Sequence, residues 1–107
     1  MITNALVRID GKKGPVPLPF EKPNPNRGFW VLELAVPKKE EKAQFRWIAA
    51  SLKKYRKFIA AHVTGRSGGA LFLGLSSGRS KPVVFEPAFI QLLSDLGLGL
   101  EVYEEEA

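Results

Sequence analysis

The sequence contains no cysteine and only one histidine, His62. The absence of cysteine excludes disulfide bonds, thiol catalysis and thiolate metal sites. A single histidine excludes a metal site with two histidine ligands from one chain. No Ser-His-Asp set, no metal-binding cluster and no glycine-rich phosphate motif in the right context is recognisable. Enzymes are therefore the class of function that the sequence favours least, and we expect neither catalytic residues nor a cofactor.

Long apolar runs are also missing. The first residues, MITNALVRID, reach a charge at Arg8 and contain no stretch of the length that a signal peptide or a membrane span requires. We therefore expect a cytoplasmic protein that does not enter a membrane. The 107 residues, 45% of them hydrophobic, are enough for a single domain that buries a core without covalent cross-links.

Basic residues are missing from the C-terminal quarter. Residues 82–107 contain six acidic residues and carry a formal charge of −6, whereas residues 1–81 contain all sixteen basic residues and carry +11. Such asymmetry often accompanies an interaction surface or a tail. We expect residues 104–107 to form an acidic tail that lies over the basic helix or stays free. Its removal should leave Tm almost unchanged, because exposed ion pairs contribute only about 0–1 kcal/mol.

The central stretch predicts one long amphipathic helix over residues 40–64. Its first turn is acidic, which suits the positive end of the helix dipole, and Gly65 follows as a residue that can end a helix. The apolar residues recur at steps of three and four, the spacing of one helical face. They are Phe45, Ile48, Leu52, Tyr55, Ile59 and Val63.

A helical wheel at about 100° per residue separates this apolar face from a basic arc. Two large aromatic residues border the arc, which comprises Arg46, Lys53, Lys54 and Lys57, with Trp47 and Phe58 beside them. One interpretation is a wide apolar face on a sheet, with the aromatic residues at its margin and the lysines solvated. The other is a basic surface, edged by aromatic residues, for an anionic or protein partner.

The remaining segments predict the rest of the fold. Alternation of apolar residues predicts strands at 5–9, 29–36, 70–75, 83–85 and 98–103, and Pro87 and Gly97 bracket a short helix over 87–96. Five prolines make residues 12–27 an extended loop. We predict one α+β domain over residues 1–107, with a mostly antiparallel sheet of four to five strands and one long and one short helix on one face.

Two loops share the tripeptide Gly-Arg-Ser, at residues 65–67 and 78–80. Glycine-serine loops with arginine can present backbone N–H groups and a cation to a phosphate. Arg66, Arg79 and Lys81 are therefore further candidate partner-binding residues. The GxxxxGK[ST] spacing is absent, and the first loop follows a helix instead of preceding one, so plain connecting loops are the simpler interpretation.

Three stretches of the chain resemble a bacterial family known only as a domain of unknown function, DUF4279. They are GFWVLEL, FRWIAASLKKYRKFI and VVFEPAFIQLLSDLGLGLEVY, and the region they mark covers about two-thirds of the chain. The short, proline-rich N-terminal part departs from the family. The resemblance implies a bacterial or phage protein with a fold but no known activity, and members of this kind are sometimes thought to be partner-binding or immunity-type proteins.

Two classes of function remain. The first is a non-enzymatic protein-binding module, of inhibitor or immunity type, that uses the basic helix to hold another protein, possibly an acidic one. The second is a nucleic-acid-binding protein that uses the same helix with the Arg66 and Arg79 loops. The net charge of +5 favours the second class, while the lack of a recognised DNA- or RNA-binding motif and the acidic C-terminal quarter count against it. Either a monomer or a homodimer is compatible with both.

Overall fold

The computed structural model of the chain describes residues 1–12, 16, 19–21, 28–63, 68–77 and 82–105. Strands and helices combine along these residues in an α+β arrangement, as predicted. In chain order they are β1 (Ile2–Asp10), β2 (Phe29–Leu34), α1 (Glu41–Lys54), α2 (Arg56–His62), β3 (Gly69–Ser76), α3 (Pro87–Asp95) and β4 (Leu98–Glu105).

The four described strands form one mixed sheet in the order β2-β1-β3-β4. β1 pairs antiparallel with both β2 and β3, but β3 and β4 are parallel. The prediction of a mostly antiparallel sheet is therefore met only in part. The reason is that α3 lies between β3 and β4 in the chain and forms the crossover connection that parallel neighbours require.

The predicted long helix is interrupted at Tyr55. This residue has φ −98° and ψ 11°, away from the helical value of ψ near −42°. Hydrogen bonds from the Tyr55 N–H to the Ser51 carbonyl (3.1 Å) and from the Ile59 N–H to the Tyr55 carbonyl (3.0 Å) still join the two segments. The chain thus has three described helices, α1, α2 and α3, and α2 ends at His62. The predicted end at 64–65 lies outside the described residues.

The predicted strand at 83–85 is wrong. Residues 82–86 have no regular secondary structure, although their apolar alternation is real. Val83 and Phe85 pack against the core, whereas Val84 is 68% exposed. The Phe85 ring centroid lies 5.5 Å from that of Phe45 on α1. The alternation therefore reflects packing against helices and not pairing in the sheet.

The helices and one face of the sheet share a single core, as predicted. The sheet contributes Leu32 from β2 and Leu73 from β3, and the helices contribute Ile48 from α1. Each of these side chains is at most 3% exposed. The apolar patterns of the strands and helices predict one core that contains nine residues, of which seven are buried and two are half-buried against the same cluster. The buried ones are Leu32, Leu34, Ile48, Leu52, Ile59, Leu73 and Leu96, and the half-buried ones are Leu92 and Leu100.

The C-terminal acidic residues are not simply a tail. Glu104 and Glu105 belong to β4, where they pair with Leu75 and Ser76 of β3. The Glu105 carboxylate also accepts a hydrogen bond from the Thr3 hydroxyl (2.6 Å). The prediction of a tail starting at residue 104 is therefore corrected, because pairing with β3 extends the strand through Glu105. Residues 106 and 107 lie outside the described residues.

The proline-rich segment is described only in part. Phe20 is buried in the core, and Glu21 exchanges two backbone hydrogen bonds with Val31 (2.6 and 2.7 Å) at the outer edge of β2. This part of the predicted extended loop is therefore docked on the sheet. In the described part of the chain, no helix has both the length and the apolar character that crossing a bilayer requires.

Candidate interaction surface on helices α1 and α2

Six of the nine predicted partner-binding residues lie together on α1 and α2. All six are exposed: Arg46, Trp47, Lys53 and Lys54 on α1, and Lys57 and Phe58 on α2. The side chain of Trp47 is 49% exposed and that of Phe58 is 45% exposed. Each of these large side chains is therefore about half accessible to solvent.

The junction of the two helices holds a small cationic-aromatic cluster. The Lys54 ammonium lies 5.2 Å from the centre of the Tyr55 ring, within the range of a cation–π contact. The rings of Tyr55 and Phe58 are tilted against each other with centroids 6.5 Å apart. These contacts restrain Phe58 and Lys54, so the second aromatic residue of the surface is positioned by its neighbours.

A small exposed side chain lies next to each of the two exposed aromatic residues. Trp47 and Phe58 are eleven residues apart in the chain, on either side of the interruption at Tyr55. Ala50 follows Trp47 by three residues and Ala61 follows Phe58 by three, so each alanine neighbours one ring on its helix surface. Both alanines are exposed. Sequence inspection for charged and aromatic residues missed them, although their spacing from Trp47 and Phe58 is a recognisable signal.

We use the name aromatic-basic surface for this patch. It comprises Arg46, Trp47, Ala50, Lys53, Lys54, Lys57, Phe58 and Ala61.

The cations of the aromatic-basic surface have no ion-pair partner within the described part of the chain. Glu41 is the acidic residue closest in sequence to these cations. Its carboxylate lies 3.5 Å from the N-terminal ammonium of Met1. The Glu105 carboxylate of the acidic strand β4 accepts a hydrogen bond from the Thr3 hydroxyl and forms no ion pair with these cations among the described residues.

The other three predicted partner-binding residues, Arg66, Arg79 and Lys81, lie outside the described residues. Their proposed role in a phosphate-binding loop stays a prediction.

His62, the single histidine, is part of an aromatic cluster at the end of α2. Its ring centroid lies 5.1 Å from that of Trp30 and 5.5 Å from that of Phe20, and both ring pairs are close to perpendicular. Edge-to-face contacts of this kind are favourable for aromatic rings. The geometry gives His62 a packing role between α2, β2 and the docked segment that contains Phe20.

A second feature, which sequence reasoning missed, is a groove between α1 and the segment that leads into α3. We call it the α1–α3 groove. The residues that line it come from two short stretches, Glu41, Lys42, Phe45, Arg46 and Ala49 on one side and Pro82, Val84, Glu86 and Phe89 on the other. No sequence signal identifies it, because it depends on how residues about forty positions apart approach each other.

Comparison of the chain with protein-family models, with curated proteins and with solved structures finds no match. The resemblance to the DUF4279 family therefore stays a prediction.

Proposed function

We propose that the protein is a non-enzymatic binding module that holds another protein on the aromatic-basic surface. The observation that carries this proposal is the half-exposure of Trp47 and Phe58 on two consecutive helices. Aromatic residues and arginine are enriched in protein–protein interfaces, and tryptophan and tyrosine are frequent among the residues that dominate binding energy. The exposed alanines beside the rings, Ala50 and Ala61, allow a partner to approach the helices closely.

The charge of the surface indicates an acidic partner. Arg46 precedes Trp47, Lys57 precedes Phe58, and both cations are exposed together with Lys53, so that a partner seated on the two rings meets these cations at its rim. Charges at the rim of an interface act mainly on the association rate and on specificity. The proposed partner therefore combines an apolar centre with flanking carboxylates, and inhibitor or immunity proteins are one class that works by such capture.

The aromatic contribution is tested by capture of proteins from a cell lysate on the immobilised chain, with identification by mass spectrometry and titration of the captured protein. Trp47→Ala and Phe58→Ala should each weaken binding by about tenfold or more. The matched control is Ile90→Ala, which removes an equally exposed side chain (47%) from α3. Equal affinity of all three variants and the parent would refute the proposed surface.

The charged contribution is tested by charge reversal. Lys53→Glu with Lys57→Glu should slow association with the same captured protein, and the effect should be larger at low salt because screening weakens it. The control variant, Lys38→Glu with Lys39→Glu, reverses the same number of charges at exposed positions before α1. If both double variants slow association equally, the effect comes from net charge and not from the surface.

A nucleic-acid partner is the second candidate, and the observation that favours it is the run of cations without ion pairs in the described structure. Its test is the salt dependence of binding to duplex DNA and to single-stranded RNA. Neutralised phosphates release counterions, so log K should fall steeply with log salt, by about 0.9 per contact for duplex DNA. The triple variant Lys53→Glu, Lys54→Glu and Lys57→Glu should lower that slope. Binding that is weak and unchanged in this variant would favour the protein partner.

A further inference from the structure

The α1–α3 groove has the size and the construction of a small-molecule site. Its volume is about 470 Å³, and ligand pockets in proteins generally measure about 300–1,000 Å³. The floor includes Phe45 and Phe89, whose rings meet edge to face with centroids 5.1 Å apart. Both residues belong to or pack against the hydrophobic core. The floor is therefore apolar and held in place by the fold.

The wall opposite α1 is formed by alternate residues of the segment before α3. Pro82, Val84 and Glu86 line the groove, while the residues between them, Val83 and Phe85, pack against the core. Val84 is 68% exposed despite its apolar side chain. An apolar ligand in the groove would cover both the Val84 side chain and the apolar floor. The binding free energy gained in this way increases with the apolar area removed from water.

The α1 side of the groove carries two like charges. Lys42 and Arg46 are four residues apart and therefore neighbours on the helix surface, where like charges destabilise a helix. Neither has an ion-pair partner in the described part of the chain. An anion placed between the two side chains would relieve their repulsion and accept charge-assisted hydrogen bonds from both.

Two carboxylates also line the groove, Glu41 on the α1 side beside these cations and Glu86 on the opposite side. Glu41 lies 3.5 Å from the N-terminal ammonium, and Glu86 stands on the opposite wall, at the N-terminal end of α3. The positive end of that helix dipole favours a negative charge at Glu86. An anionic ligand is therefore directed away from Glu86 and toward Lys42 and Arg46.

We propose that the α1–α3 groove binds a small apolar molecule that carries one anionic group, such as an aromatic or branched aliphatic carboxylate. The apolar body lies on Phe45, Ala49 and Phe89, and the anionic group lies between Lys42 and Arg46. This proposed ligand site does not depend on the proposed protein-binding function. The groove and the aromatic-basic surface share only Arg46.

Two fluorescent probes of matched shape test the proposal. 8-Anilinonaphthalene-1-sulfonate carries one sulfonate, and N-phenyl-1-naphthylamine has the same aromatic body without a charge. Titrated into the full chain, the anionic probe should bind at least about tenfold more tightly, which corresponds to about 1.4 kcal/mol. Lys42→Gln with Arg46→Gln should reduce this ratio to near one. Lys53→Gln with Lys57→Gln, which removes the same charge outside the groove, on α1 and α2, should leave it unchanged.

The location of the probes is tested separately. Ala49→Leu should weaken both probes by filling the floor, and Val84→Ala, a change at an exposed position, should weaken both by removing part of the wall. Amide chemical-shift changes in two-dimensional NMR spectra of the parent should cluster at Phe45, Ala49 and Phe89, and the spectra and Tm of each variant show whether it is folded.

Three results would overturn the proposal. They are equal affinity of the two probes for the parent, an anionic preference that survives Lys42→Gln with Arg46→Gln, and chemical-shift changes centred on the opposite face of the sheet, at Leu6 and Phe72. The last result would assign the probes to the shallow depression that those residues line together with Phe29.

Discussion

Gln44 is a buried polar side chain that hydrogen-bonds to backbone groups of β1 where β1 has no pairing with β2. It is 1% exposed. Its side-chain oxygen accepts a hydrogen bond from the Ile2 N–H (2.8 Å), and its amide nitrogen donates to the carbonyls of Ile2 (2.9 Å) and Pro37 (3.0 Å). The pairing of β1 with β2 ends at Ala5 and Leu34. Gln44 thus satisfies backbone groups of β1 that β2 does not reach.

Gln44→Met keeps the length of the side chain but removes these hydrogen bonds. Buried backbone groups would be left without partners, so we expect a loss of about 3 kcal/mol in the free energy of unfolding, measured by chemical denaturation. The control is Gln91→Met on α3, an exposed glutamine that donates to Asp95 (2.8 Å). That change should cost less than about 0.5 kcal/mol. A Gln44 variant as stable as the Gln91 variant would show that the buried hydrogen bonds contribute little.

Tyr103 links the acidic strand β4 to β1 and makes stability sensitive to alkaline pH. Its hydroxyl accepts a hydrogen bond from the Asn4 amide (3.1 Å). Burial raises the pKa of Tyr103 above its ordinary value, and the nearby Glu105 carboxylate raises it further, while the hydrogen bond from Asn4 acts in the opposite direction. Folding therefore favours the neutral phenol.

The sign of the pH dependence follows from this raised pKa. The stabilising contribution is fully present below the unfolded-state pKa of about 10 and is lost as the pH rises through the folded-state pKa. As the pH rises above about 10, the free energy of unfolding should fall more in the parent than in Tyr103→Phe. Tyr55→Phe, which leaves Tyr103 in place, should retain the slope of the parent. An identical slope in all three proteins would contradict the role of Tyr103.

At the scale of secondary structure, the end of β4 is the element that differs most from the sequence-based expectation. Beyond the ladder with β3, the Ser77 N–H donates to the Glu105 carbonyl (3.1 Å), and Thr3 donates to its carboxylate. Deleting residues 104–107 removes these bonds. We expect Tm to fall by about 5 °C or more, because each lost hydrogen bond contributes about 1 kcal/mol and each kilocalorie shifts Tm by several degrees in a domain of this size.

A pair of single substitutions separates the strand from its charges. Glu105→Ala should lower Tm, because it removes the acceptor of the Thr3 hydroxyl. Glu104→Ala removes an exposed carboxylate of the same strand and should have little effect. Equal effects of the two substitutions would mean that the acidic residues act through charge alone, as an unstructured tail would.

At the scale of the whole molecule, opposite charges occupy different surfaces. The helices carry the basic residues of the aromatic-basic surface, whereas β4 carries three acidic residues and stands at the end of the described sheet. Its outer edge has no strand partner among the described residues, and Val102 there is 42% exposed. Unpaired edges can template aggregation, and charged side chains oppose it. The carboxylates of β4 thus repel a second copy of the same edge.

This arrangement predicts that Glu101→Gln with Glu104→Gln increases self-association. Sedimentation velocity at high protein concentration and low salt should show a larger oligomer fraction than in the parent, because two repelling charges are removed from each edge. Glu40→Gln with Glu86→Gln removes the same number of charges away from β4 and serves as the control. Equal oligomer fractions in both double variants would assign the effect to net charge.

The sequence by itself determined the segments that form helices and strands and the side chains that face the core. Periodicity of three to four placed Ile48, Leu52 and Ile59 inward on α1 and α2, and alternation placed Leu71 and Leu73 inward on β3. Pro87 and Gly97 marked the limits of α3, where Gly97 takes φ +70°. The basic arc of Arg46, Lys53, Lys54 and Lys57 was also predictable, whereas the exposure of Trp47 and Phe58 was left open between two interpretations. All of these features depend on local geometry, which a short stretch of sequence specifies.

Only the tertiary structure decided which distant segments meet. The parallel pairing of β3 with β4, the burial of Gln44 against β1 and the extension of the strand through Glu105 each require residues that are far apart in the chain. The α1–α3 groove exists because Phe45 and Phe89 pack together and leave space above their rings. No pattern along the chain encodes such contacts, since their free energy comes from surfaces that only the folded chain brings together.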